Sequence, residues 1–290
     1  AFDGDLGPSV SNLGKVARVA PSGMSVQGDL PTRSRPGGAA YSASVLPSLH
    51  RLLKAAGFDA ALTTTAGSEK WTYTPTAPGS TFTSLCAELY ARGEKWAVAG
   101  ALGNLKFDAP DPAPPIWNFG LMGLLTLPTD VALPTITYPL QSVAPPLASS
   151  IALTLGSLST NAVVMSHSFD LQRQLFPRVA QSAAAAHLGF VPGDRAPILK
   201  VVLESTALVG TPFTSASAFD PYRLRDNAQQ IAVTLQHGSA QYFRQKTNFP
   251  QCQVIDVQPG ANNAIATVEL TLAAFNSTAS AADDVNFVFD

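Results

Sequence analysis

Apolar and polar residues alternate with a period of two through much of this chain, the pattern of strands with one buried face. Lys70–Pro75 sets Trp71 and Tyr73 against threonines. Phe82–Tyr90 and Lys95–Ala101 flank Ala91-Arg92-Gly93-Glu94, a short polar connection with a glycine and so a hairpin signal. Leu102–Asp108 and Ile116–Leu125 flank a proline-rich stretch, Asp108–Pro115. Proline fixes φ and lacks an N–H, so that stretch cannot continue a central strand. Four strands in an antiparallel meander are predicted. Leu85, Leu89, Trp96, Val98, Phe107, Trp117 and Phe119 are available for its buried face.

Two segments change period. Val45–Ala56 repeats Leu46, Leu49, Leu52, Leu53 and Ala56 at spacings of three and four, with Ser44 as N-cap and Gly57 at C′, which predicts a helix. Phe219–Asn227 is the second helix, with Asp220 capping Pro221 at its first position. Met24–Leu30, Val163–Leu175 and Ile198–Thr206 are predicted strands, whereas Ala180–Leu188 fits a short helix or a loop equally. Gln230–His237 and Ala240–Lys246 form a hairpin around Gly238. Gln251–Val257 and Ala264–Phe275 form another around Gln258-Pro259-Gly260.

The second half repeats the order of the first. A strand (Met24–Leu30, Ile198–Thr206) precedes a helix, a hairpin at a glycine (Gly93, Gly238) and a strand ending in aspartate (Asp108, Asp256). A proline-containing connection and a long closing strand follow, and Trp96 and Tyr242 occupy equivalent places. The expected fold class is therefore mainly β, with two tandem sandwich- or barrel-like domains, each flanked by one short helix. They span residues 1–140 and 159–290, joined by a proline-rich linker at 141–158. Residues 1–22, Arg33–Ala43 and Leu127–Ser159 are candidates for arms that reach neighbouring subunits.

Composition adds one constraint. Of 290 residues 46 % are hydrophobic and only 13 % charged, with net charge −2, pI near 6.1 and mean hydropathy +0.14. That charged fraction is about half the usual roughly 25 %, so much of the surface is expected to be covered by other subunits. A membrane is the rival account. The longest charge-free stretch, Val131–Phe169, is broken by Pro134, Pro139, Pro145 and Pro146, so no membrane partner is expected. No basic stripe for reading nucleic acid is present. Cys86 and Cys252 lack metal or disulfide spacing, and Ala1-Phe2-Asp3-Gly4-Asp5 does not resemble a signal peptide.

Chemistry-bearing motifs are sparse. His50, His167, His187 and His237 have no ligand spacing, and the run Ser166–Asp170 turns its side chains to opposite faces of a strand, as surface polar residues do. Asp108 and Asp256 suit local bonding to backbone N–H groups, with Asp111 the only close carboxylate. No catalytic, cofactor-binding or metal residue is assigned, and no cofactor is implied. Arg92, Lys95, Lys106, Arg223, Arg225, Arg244 and Lys246 suit contacts to carboxylates such as Glu88, Glu94 or Glu204 of a neighbour, or a solvated surface.

Four fragments carry a resemblance. Leu49–Phe58 (LHRLLKAAGF), Trp71–Pro75 (WTYTP), Gly100–Phe107 (GALGNLKF) and Pro128–Pro134 (PTDVALP) fall in this order within Leu46–Tyr138. Together they resemble the tail tube protein of long-tailed, siphovirus-like phages; beyond residue 138 the likeness is one of layout. The resemblance implies a β-rich, non-enzymatic virion protein of the tail, assembled in the bacterial host cytoplasm. Its copies would stack as rings around a channel for DNA ejection. Implied partners are other copies of itself, the tape measure protein, the tail terminator and distal tail proteins, and genomic DNA in transit without sequence-specific binding. Family rings are typically built from six single domains, so a tandem chain implies a trimer with pseudo-six-fold symmetry, a hexamer being the alternative. A channel that held phosphate tightly would stall passage, so a polar to acidic wall is expected, with Glu88 among the candidates. The competing class is a β-sandwich binding module of a virion fibre or a carbohydrate-binding domain, and a β-sandwich hydrolase has no supporting motif.

Overall fold

A computed structural model describes residues 21–28, 40–77, 79–110, 115–135, 151–155, 158–159, 163–179, 187–205, 220–238, 241, 244–278 and 281–290. The strands are β1 (Pro21–Gly28), β2 (Phe58–Thr63), β3 (Lys70–Pro75), β4 (Leu85–Ala91), β5 (Glu94–Pro110), β6 (Ile116–Leu125) and β7 (Thr129–Asp130). They continue with β8 (Ile151–Leu155), β9 (Leu158–Ser159), β10 (Val164–Asp170), β11 (Leu175–Val179), β12 (His187–Pro192) and β13 (Ile198–Glu204). The last are β14 (Gln230–His237), β15 (Gln245–Asn262), β16 (Ile265–Phe275) and β17 (Asn286–Phe289), and two short helices are α1 (His50–Ala55) and α2 (Pro221–Asp226). The protein is mainly β, as expected.

All strands but β11 and β12 join one sheet, whose main path is β1-β6-β5-β10-β13-β16-β15-β14-β8-β9. Every described pairing is antiparallel. Rows of side chains alternate across its middle. Phe107, Phe169, Leu199, Leu272 and Val254 stand in register on β5, β10, β13, β16 and β15, all buried. The row one step along on the same strands, Asp108, Ser168, Lys200, Thr271 and Asp256, faces outward. Period-two alternation places one row in the core and the next in water.

The sheet folds over on itself, because β17 pairs with both β15 and β3 and brings β2 and β3 across the core. Phe287 of β17 packs against Phe58, Trp117 and Phe169, and Phe289 against Tyr73. Buried residues from both halves of the chain form one cluster, and β10 carries the ladder from β5 to β13. The neighbour order also repeats: β1-β6-β5-β4 in the first half has the counterpart β13-β16-β15-β14 in the second, with α1 and α2 after the matching first strands. Most of the expected linker lies outside the described residues, but β8, within it, is a strand added to β14.

Several boundaries differ from the sequence expectation. Lys95–Ala101 and Leu102–Asp108 are one strand, β5, in which a bulge at Gly100 (φ 62) inserts one residue against β6. The glycine marks a kink in the strand. Arg92 and Gly93 do make the β4–β5 turn, both at positive φ. The β15–β16 hairpin turns at Asn263 and Ala264 (φ 46 and 70) rather than at Pro259-Gly260. Pro259 is tolerated inside β15 because β14 pairs only as far as Gln253, which leaves that flank of the strand without a described partner.

The first helix starts five residues later than expected. Leu46 precedes Pro47, and a pre-proline residue disfavours the α region. Ser44 is therefore not the cap: Leu49 takes that position with no side-chain cap bond. Leu49, Leu53 and Ala56 are nonetheless fully buried, and Gly57 ends the helix at φ 82. In α2, Asp220 accepts from the Arg223 N–H at 3.0 Å with Pro221 first in the helix, as predicted. Val163–Leu175 divides into β10 and the start of β11. Leu89, expected inside, is exposed near the outboard end of the β4–β5 hairpin.

Candidate functional site

The run Ser166–Asp170 lies on β10. Ser166, Ser168 and Asp170 face out with Asp108 and Lys106 of β5, and Asp170 pairs with the Lys106 ammonium at 2.8 Å. His167 points inward, contrary to the surface reading, and meets His237 of β14. The run therefore forms no nucleophile–base–acid arrangement. Asp256 bonds locally, as expected: one oxygen accepts from the Val257 N–H and the other from the Gln258 amide. No group of three or more His, Cys, Asp or Glu side chains able to hold a metal occurs among the described residues. Cys86 is exposed and Cys252 buried, and both are free thiols.

Several of the basic side chains considered for subunit contacts find carboxylates within the chain. Lys95 reaches Glu88 at 3.3 Å, and the Tyr90 hydroxyl donates to the same carboxylate at 2.7 Å. The Tyr90 hydroxyl and Lys95 hold Glu88 below the usual carboxylate range. Arg225 pairs with Asp226, while Arg244 and Lys246 both grip Asp290. These pairs lie within one chain, so the side chains concerned need no neighbour's carboxylate to be paired.

Apolar side chains are conspicuous on the surface. β11 and β12 form a separate two-stranded sheet in which Phe176 stands directly opposite Val191. Phe176, Val179, Leu188 and Val191 are 52, 63, 53 and 47 % exposed. Gln174 accepts from the Gly193 N–H to close the base of this hairpin, and a Cβ on Gly193 would overlap the Phe176 ring. A groove of about 420 Å³ runs between Leu188, Phe190 and Val191 of the hairpin and Phe82, Leu102 and Leu124, so Leu188 and Val191 line it while remaining about half exposed. A second apolar surface is the strap after β6, where Leu127 and Leu133 are 88 and 67 % exposed. The strap is held to the β4–β5 turn by Val131, which donates to Gly93.

The outward rows over β5, β10, β13, β16 and β15 make a third surface, broad and polar. It holds Lys106 and Lys200 against Asp108, Asp170, Asp256 and Glu269, so acid outnumbers base. Lys200 and Glu269 pair at 3.0 Å. The alternation made this surface predictable in kind. The β11–β12 hairpin was hidden, because Ala180–Leu188, most of which lies outside the described residues, has no clear period.

No protein family model matches the chain, and no curated protein is significantly similar to it in sequence. No helix among the described residues is long and apolar enough to cross a membrane.

Proposed function

We propose that this chain is a structural subunit that assembles with copies of itself into stacked rings, the tube of a phage tail through which DNA passes. The observation that carries the proposal is the β11–β12 hairpin, which offers Phe176, Val179, Leu188 and Val191 to solvent in a protein with few charges to keep it apart from its own copies. The four fragments that resemble tail tube proteins support it independently, since Trp71–Pro75 is strand β3 and Gly100–Phe107 lies within β5.

In this reading the hairpin and the strap after β6 are the contacts between subunits. The polar outer face of the five-strand array is the channel wall, where an excess of carboxylates lets a polyanion slide without capture. Taken as two similar units within one sheet, the halves with repeated strand order would let three chains close a ring of pseudo-six-fold symmetry through head-to-tail contacts. Tape measure, terminator and distal tail proteins would bind the ends and the lumen. Analytical ultracentrifugation of the wild type beside Phe176→Asp tests the hairpin's part. Large assemblies by the wild type and small folded species by the variant are expected. Equal assembly by both would remove the hairpin from the interface.

A further inference from the structure

His167 on β10 and His237 on β14 lie 70 positions apart and meet Nε2 to Nε2 at 3.1 Å, with 3 and 0 % exposure. β10 and β14 are not sheet neighbours, so the contact staples opposite walls of the folded sheet. It is a hydrogen bond when one Nε2 carries a proton and the other does not. Two imidazoliums at that distance repel instead.

The surroundings offer no compensation. β5 presents Phe107, its ring centroid 5.4 Å from each imidazole, and Ala109 opposite His167, while Lys106 and Asp108 lie on its outer face. From β6, Trp117 packs behind Phe107. β13 sets Val201 opposite His167, with Lys200 facing out. β14 adds Leu235, β8 pairs Ile151 with His237, and β15 sets Gln245 opposite His237. The next residue of β15, Lys246, is turned to Asp290. Among the described residues, no carboxylate and no other cation faces the two rings. Among the described residues, the outer nitrogen of each ring, Nδ1, is buried with no hydrogen-bond partner, as are both side-chain amide atoms of Gln245.

We propose that the His167–His237 pair is an acid-operated latch in the core, closed by a hydrogen bond between neutral rings near neutral pH and opened when the rings take up protons. Burial, with His237 adding to it, holds His167 down to about 3, and burial holds His237 down to about 4. In the unfolded chain both would titrate near the ordinary value of about 6.5. The unfolded state therefore binds more protons below that value, and stability falls as pH drops from there toward the folded values. Each pH unit in that window shifts the folding constant by up to about tenfold per histidine, or about a hundredfold for the pair.

The test is urea unfolding from pH 7 to 5, where most carboxylates stay charged, of the wild type and of the double variant His167→Gln, His237→Gln. Two amides can keep one hydrogen bond and cannot titrate. His50, itself held low by partial burial and by Lys54 and Arg51, is present in both proteins, so its contribution cancels. The folding constant of the wild type should drop by well over tenfold between pH 6 and 5 relative to the variant. Parallel pH profiles would overturn the latch. If the double variant does not fold, nitrogen chemical shifts of the wild-type imidazoles decide. Two rings neutral at pH 5 in the folded protein support the latch, and a ring that titrates near 6.5 overturns it.

Discussion

The ring of Phe287 on β17 lies 5.1 Å, centroid to centroid, from that of Trp117 on β6. This four-residue strand thus touches the wall opposite its own, with Phe58 at 5.2 Å on one flank and Phe169 at 5.9 Å on another. Phe287→Ala should destabilise the protein by about 3–5 kcal/mol, the usual cost of emptying a buried phenylalanine site. Urea titration followed by tryptophan fluorescence measures it. A loss under about 1 kcal/mol would mean that β17 is not what closes the sheet.

Leu49, at the start of α1, is fully buried with Leu53. Leu49→Asp would place an unpaired carboxylate in the core. That costs several kcal/mol, comparable with the whole stability of a domain. The variant should be insoluble or lack a cooperative melt. Soluble Leu49→Asp protein with a sharp transition would show that α1 is dispensable to the core.

Arg195 donates through Nε to both oxygens of Asp284, at 3.0 and 2.7 Å, and both side chains are largely buried. Arg173 lies close enough that burial, and then Arg195, push it down to about 10 while Asp284 opposes the shift. Its guanidinium donates to the Ala56 carbonyl at the end of α1. Asp284→Ala would leave the largely buried Arg195 without its partner and should cost about 3–5 kcal/mol. Lys200→Ala breaks only the exposed pair with Glu269 and should cost about 0–1 kcal/mol. Equal urea midpoints for the two variants would refute the distinction.

Burial pushes the Cys252 thiol up to about 12, whereas Cys86 is exposed on β4. A thiol reagent at pH 8 should modify one cysteine per folded chain and both in denaturant, because the thiolate is the reacting form. Fast modification of both in the folded protein would place Cys252 outside the core.

Local signals were legible where one short segment contains its own explanation. The alternation of Trp71 and Tyr73 marked β3 to its ends, Arg92-Gly93 marked a turn, and Asp220-Pro221 marked the start of α2. β17 escaped notice because four residues carry too little period, and its role depends on partners more than 200 positions away in β3. The break expected between Ala101 and Leu102 is absent, because a bulge at Gly100 lets one long strand bend instead of ending. His167 looked like a surface residue among serines and an aspartate. Its burial follows from facing Phe107 and His237, contacts that no local pattern encodes. The exposed apolar side chains of β11 and β12 were likewise hidden, since burial of an alternating strand is decided by what covers it.

Electron microscopy of the purified full chain at neutral pH tests self-assembly most directly. Rings or stacked tubes with an open channel are expected, with three chains to a ring and the β11–β12 hairpin between subunits. Monodisperse small particles, with Phe176 and Val191 still exposed to solvent, would contradict it.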